Sequence, residues 1–190
     1  MVRSIVFDVG WVFVHLDARP ILECLAIDGL ESVRLDDHET GRVHGHAFLE
    51  RLAALARQPV SLEKVRANWL DMFVLQPAMV DLAYRLSERY RVHLLSNIGD
   101  LHWAHLSREY GLHRIGHGAL PSFLAGVMKP DAGIFAEAER RFGLAPRATV
   151  FIDDRPENID AARARGWQGI LHSGHASTVN ALRTLGIEAR

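Results

Sequence analysis

Four polar points in the sequence stand where apolar runs end or turn. Asp8 closes SIVFD, Ser96 and Asn97 close VHLLSN, Asp153 and Asp154 close TVFIDD, and Lys129 precedes Pro130 in GVMKPD. A carboxylate buried at the end of an apolar run costs several kcal/mol unless something compensates it. If Asp8 and Asp154 approach to ~4 Å, they repel by roughly 4 kcal/mol at an effective dielectric near 20. A cation removes that conflict. The donors are all oxygens, and no histidine or cysteine falls in these motifs, so zinc and copper fit poorly. Mg²⁺ fits well, because it takes one or two carboxylates, keeps waters and shares a substrate phosphate. The Ser96 hydroxyl, the backbone N–H groups of Asn97 and Ile98, and the Lys129 ammonium would complete a cradle for that phosphate.

The elements that carry these points read as alternating strands and helices. The three apolar runs, with QGILHSG as a fourth, have the length and branching of buried parallel strands. Between them PAMVDLAYRLSERY, DLHWAHLSREYG, DAGIFAEAERRFG and ENIDAARARG have helical periodicity, with Pro77 and Asp131 as starts and Gly143 and Gly166 as stops. That alternation predicts an α/β fold, a Rossmann-like parallel sheet covered by helices on both faces. Ligands of such sheets bind beyond the carboxyl ends of the strands, which is where the polar points lie. From about Ala18 to Phe73 the alternation breaks, and only helical candidates occur: ARPILECLAI, ESVRLDDHETG, HAFLERLAALARQ and SLEKVRANWLDMF, the last with Ser61 as N-cap. This predicts a small helical insert after the first strand.

A chain of 190 residues, 48% hydrophobic and 24% charged with a net charge of -1, suits one domain or a core with a small insert. It offers no charge excess to attract nucleic acid. No run approaches the roughly 20 apolar residues of a membrane span, and MVRSIVFD is too short before its first acid for a signal peptide. The single cysteine, Cys24, forbids an internal disulfide and falls in an apolar helical pattern, so it is expected in the core of a cytoplasmic protein. His44 and His46, spaced i, i+2, do not share a helix face and predict no zinc site. A monomer or weak homodimer acting on a small molecule is expected.

Taken in order, FDVGWV, LLSN, VMKPD and FIDDRPENIDAA resemble the four motifs of the haloacid dehalogenase superfamily, in its phosphatase branch with a helical cap of the first type. The resemblance spans nearly the whole chain. It implies a core of residues 1–16 and 76–190 and a cap of residues 17–75. Within the family, the first motif is most similar to a bacterial subgroup of α-glucose-1-phosphate phosphatases. The resemblance implies Mg²⁺-dependent hydrolysis of a small phosphorylated metabolite, such as a sugar 1-phosphate, through an aspartyl-phosphate. Asp8 is then the nucleophile. Ser96, Asn97 and Lys129 hold phosphate, and Asp8, the Gly10 carbonyl and Asp154, supported by Asp153, hold the metal. Asn158 is expected to orient the loop or a metal-bound water. Trp11, His15, His44, His46 and Trp69 are candidates for the substrate-facing surface.

The chain departs from the family at Gly10, where most of its phosphatases carry a second aspartate as general acid and base. Such a group contributes about 10²- to 10⁴-fold. Three readings stay open: the leaving group needs no proton, His15 supplies it, or the protein binds phosphate without turnover. A metal-independent dehalogenase, whose halide leaves without a proton, is a further alternative.

Overall fold

The computed structural model describes residues 1–30 and 33–188. In chain order the elements are β1 (Ser4–Phe7), β2 (Val14–Leu16), α1 (Arg19–Leu25), α2 (Leu35–Glu39), α3 (Gly45–Ala53), α4 (Leu62–Leu70), β3 (Phe73–Leu75), α5 (Pro77–Ser87), β4 (Arg91–Ser96), α6 (Asp100–Tyr110), β5 (Ala119–Pro121), α7 (Ser122–Ala125), α8 (Ala132–Phe142), β6 (Thr149–Asp153), α9 (Pro156–Ala164), β7 (Gln168–Leu171) and α10 (His175–Thr184). Glu31 and Ser32, which open the expected helix ESVRLDDHETG, lie outside the described residues.

Five strands form one parallel sheet in the order β5-β4-β1-β6-β7. The expected α/β architecture is therefore present, with the short edge strand β5 added to the four strands read from sequence. Side chains alternate across the sheet as strand geometry demands. Ile5, Phe7, Val92, Leu94, Val150 and Ile152 pack on one face against Met79, Leu82 and Leu86 of α5 and Leu182 of α10. Val6, Leu95 and Phe151 pack on the other, against Ile134, Phe135 and Ala138 of α8 and Ile159 and Ala162 of α9. Sequential connections between parallel strands run through helices, so the loops that carry Asp8, Asn97 and Asp154 all leave the same edge of the sheet.

Helices α1 to α4 form a separate apolar cluster around Leu25, Phe48, Leu52, Val65 and Trp69, with Cys24 buried in it. The strands β2 and β3 pair antiparallel, His15 opposite Val74, and bring both ends of this insert together. Ser61 caps α4 as expected, accepting the Lys64 N–H at 3.2 Å. The insert is fastened to the core at several points. The Asp100 carboxylate accepts the Gly45 N–H at 3.1 Å, and His102 Nε2 donates to the Trp69 carbonyl at 2.9 Å. Among the described residues, no helix is long and apolar enough to cross a membrane.

Candidate active site

The turn after β1 is wound tightly on one carbonyl. Val9 O accepts from the N–H groups of Val12, Phe13 and Val14 at 3.3, 2.8 and 3.2 Å. Trp11 stands at the tip of this turn with φ +56 and is half exposed. A bulky residue in the left-handed region costs on the order of 1–3 kcal/mol. Gly10 has no such conformation, and a Cβ built there would meet nothing closer than Leu16 Cδ1 at 3.7 Å. The missing carboxylate at position 10 is thus not excluded by space.

Asp8 is buried, and its Oδ1 accepts from its neighbour's backbone, Val9 N, at 2.6 Å. Lys129, also buried, places its Nζ 2.8 Å from Asp8 Oδ1 and 2.7 Å from Asp153 Oδ2. Asn97 holds the backbone of that lysine in a reciprocal pair: its Nδ2 donates to Lys129 O and its Oδ1 accepts from Lys129 N, both at 2.8 Å. Asp153 is saturated. Besides Lys129, it accepts from Asn158 Nδ2 at 3.0 Å on each oxygen and from Arg155 N at 2.8 Å.

The carboxylates of Asp8, Asp153 and Asp154 each offer an oxygen within 4.8 Å of the others. Three acids face one lysine, and the electrostatics record the excess. Burial pushes the Asp8 carboxyl up to about 6, with Lys129 pulling it down and Asp153 pushing it further up. Asp154 is raised by burial and by Asp153. Lys129 is raised because the two carboxylates outweigh the penalty of burying its charge. Asn158 Oδ1 is buried and finds no partner among the described residues. An all-oxygen cluster with surplus negative charge and an orphaned acceptor beside it fits a hydrated hard cation.

These groups open on a cleft of about 450 Å³ lined by Asp8, Gly10, Trp11, Leu16, Glu39, Asn97, Lys129, Asp154, Arg155 and Asn158. Of the expected site residues, the structure brings Asp8, Gly10, Trp11, Asn97, Lys129, Asp154 and Asn158 to this cleft. Asp153 stands behind it, on Lys129. Ser96 ends β4 and is 2% exposed, at the edge of the site but not lining the cleft. The Ile98 N–H, expected to face phosphate, is spent on Ser122 Oγ at 2.9 Å. His15 lies on β2, exposed, and reaches the cleft only through its ring contact with Trp11, 5.2 Å between centroids. Trp69 belongs to the insert's core, stacked 4.4 Å from His102, while His44 and His46 point outward on exposed side chains.

Three cleft residues were not expected from the sequence, the apolar Leu16 of β2 and two charged ones. Arg155 follows the Asp153-Asp154 pair, and the pair itself was the only available signal. Glu39 ends α2, in the insert. Its position depends on how the insert is seated, for which a single sequence carries no signal.

A D-ribitol-5-phosphate phosphatase from Bacteroides thetaiotaomicron is 27% identical over 187 residues, covering 88% of this chain and 90% of that protein. The wild-type form of a HAD family enzyme from the same organism, crystallised with magnesium and inorganic phosphate, superposes with a TM-score of 0.79 at 24% identity, over 90% of this chain and 94% of the other. A HAD-like family hydrolase from Porphyromonas gingivalis superposes with a TM-score of 0.82 at 25% identity over 99% of both chains. The family model for haloacid dehalogenase-like hydrolases matches residues 17–166, and the chain belongs to that family of hydrolases, among relatives that act on phosphate esters.

Proposed function

We propose that the protein is a Mg²⁺-dependent phosphatase that hydrolyses a small phosphorylated sugar or sugar alcohol through an aspartyl-phosphate on Asp8. The observation that carries this reading is the placement of Asp8, Lys129 and Asp154 in one cleft at the carboxyl edge of the sheet, with a charge balance that calls for a cation. The full-length likeness to a sugar-alcohol phosphatase supports the substrate class. A sugar 1-phosphate belongs to the same class and remains the finer expectation from the first motif.

In this reading the Asp8 carboxylate attacks phosphorus, which divides one hydrolysis into two easier displacements. Lys129, clamped through its backbone by Asn97 and through its ammonium by Asp153, stabilises negative charge on the phosphoryl oxygens. Ser96 holds a further oxygen from the end of β4. Asp8, Asp154 and the Gly10 carbonyl would hold Mg²⁺, which when bound would supply positive charge to offset that of the carboxylates and the phosphate. Asp153 contributes by position, since its oxygens are already shared among Lys129, Asn158 and Arg155. Residues 17–75 act as the cap over a core of residues 1–16 and 76–190, and Trp11, with His15 behind it, forms one wall of the substrate cleft. The buried, unpaired Cys24 supports placement in the cytoplasm, and a small-molecule cleft within one chain supports a monomer or weak homodimer.

The test is phosphate release from sugar phosphates, sugar-alcohol phosphates and nucleotides, with wild type beside Asp8→Asn. Release that requires both Mg²⁺ and Asp8 is expected. Turnover that survives Asp8→Asn, or that ignores chelation, refutes the proposal.

A further inference from the structure

Gly10 leaves the reaction without the usual source of a proton, yet the cleft holds one acid to which neither nucleophile nor metal work is assigned. Glu39 ends α2 and lines the cleft together with Asp8 and Lys129. It is held there from the core. Ser122 Oγ donates to the Glu39 carbonyl at 2.5 Å while accepting the Ile98 N–H at 2.9 Å, so one buried hydroxyl ties the end of α2 to the loop after β4. Two residues on, Gly41 has φ +71, and a Cβ there would stand 2.5 Å from the Phe123 carbonyl oxygen. The insert therefore rests directly on the backbone of α7, without an intervening side chain.

The backbone of Glu39 is fixed, but its carboxyl makes no hydrogen bond among the described residues. The other acids lining the cleft are Asp8 and Asp154, and His15 is outside it. We propose that Glu39 is the general acid and base of the reaction, giving a proton to the leaving-group oxygen and taking one from the water that follows. This rests on the phosphatase reading above.

In the first step the Asp8–phosphorus bond forms, the phosphorus–ester oxygen bond breaks, and the departing oxygen takes the Glu39 proton. In the second, water oxygen bonds to phosphorus and yields a proton to the Glu39 carboxylate. The Asp8–phosphorus bond then breaks, releasing phosphate and restoring both groups. The electrostatics suit a group that begins the cycle protonated. Burial lifts the Glu39 carboxyl to about 7. Asp36 on its own helix and Asp8 after β1 add to the rise, while Lys129 before α8 and Arg155 before α9 oppose it.

The experiment compares wild type with Glu39→Gln on an alkyl phosphate and on nitrophenyl phosphate, whose leaving group departs without a proton. Glu39→Gln should lose about 10²- to 10⁴-fold in kcat on the alkyl ester and lose the fall in rate as pH rises through about 7. On nitrophenyl phosphate it should keep a burst of one nitrophenolate per site, followed by a stalled second step. That burst also shows that the variant is folded. Alkyl turnover and a pH profile like wild type in Glu39→Gln overturn the role of Glu39 alone. A wild type inactive on every ester refutes the phosphatase reading and this inference with it.

Discussion

Lys129→Met separates the charge of this buried lysine from its packing. The substitution keeps most of the aliphatic stem, which lies over the Phe151 ring with Nζ 5.3 Å from the centroid, and removes the ammonium that sits 2.8 Å from Asp8 and 2.7 Å from Asp153. Asp8 is raised to about 6 even with the lysine present, a bias on the order of 3 kcal/mol against its ionised form. Without Lys129, the carboxylates face each other with no counter-charge. Breaking a buried pair from one side typically costs about 3–5 kcal/mol. For a chain of this size that is roughly a 6 to 20 °C fall in Tm. The loss should depend on pH with a definite sign. A carboxyl whose folded pKa lies above its unfolded value penalises the folded state once pH exceeds the unfolded value, and fully above the folded one. The Lys129→Met variant should therefore recover as pH falls from 8 toward 5, so that its loss relative to wild type is smaller at pH 5 than at pH 8. His93 and His102, both depressed by burial, weaken the two proteins equally over part of this range and cancel in the difference. The assay is urea unfolding of both proteins in chelator at pH 5 and pH 8. Equal losses at the two pH values would refute the electrostatic account and assign the effect to the packing of the stem.

Other sites carry outcomes of their own. His93 is buried with neither ring nitrogen partnered among the described residues and is stacked 4.2 Å from Phe142, its pKa lowered to about 4 by burial. A depressed base contributes stability present above its unfolded value near 6.5 and lost as pH falls toward 4, so His93→Leu should stabilise the protein more at pH 5 than at pH 8 in urea unfolding. Gly41→Ala should cost about 1–3 kcal/mol, because it combines a left-handed φ with a 2.5 Å approach to the Phe123 carbonyl, and thermal unfolding beside wild type checks it. Asn97→Ala removes both bonds that hold the Lys129 backbone and should lower kcat with a smaller effect on KM, read from steady-state kinetics.

The sheet was legible because buried parallel strands write themselves as apolar runs and end at the ligand edge. Val6 and Phe151 face one side while Ile5, Phe7 and Ile152 face the other, and both sides are covered, so no polar alternation interrupts the pattern. Strand β5 was not legible. It has three residues, ends in Pro121 and lies at the sheet edge, where ladder hydrogen bonding is needed on one side alone. Strands β2 and β3 are equally short, and they pair across the whole insert, a separation over which a local pattern carries no information.

The site divides the same way. Asp8, Asn97 and Asp154 are visible because each follows a strand of the sheet, and Lys129 because it stands in the loop just before the Pro130-Asp131 start of α8. What they touch is less visible. The Asn97 side chain serves the Lys129 backbone, and the Ile98 amide serves Ser122, because a loop packed against its neighbours satisfies its polar groups internally before it meets a ligand. Trp69 carries an aromatic ring as Trp11 does, yet its helix turns that ring into the insert's own core, and only packing distinguishes the two. Glu39 is the extreme case. It is far from Asp8 in sequence, and its neighbours His38 and Thr40 offer no motif. What places it is a glycine that lets one backbone lie on another and a buried serine that joins them, features whose meaning exists only once the insert is seated. Because position 10 has room for a side chain, the glycine there is not forced by packing, and a chain that can draw its proton from the insert makes turnover depend on the insert being in place. Water would then meet the phosphoryl group in the presence of the acid that activates it.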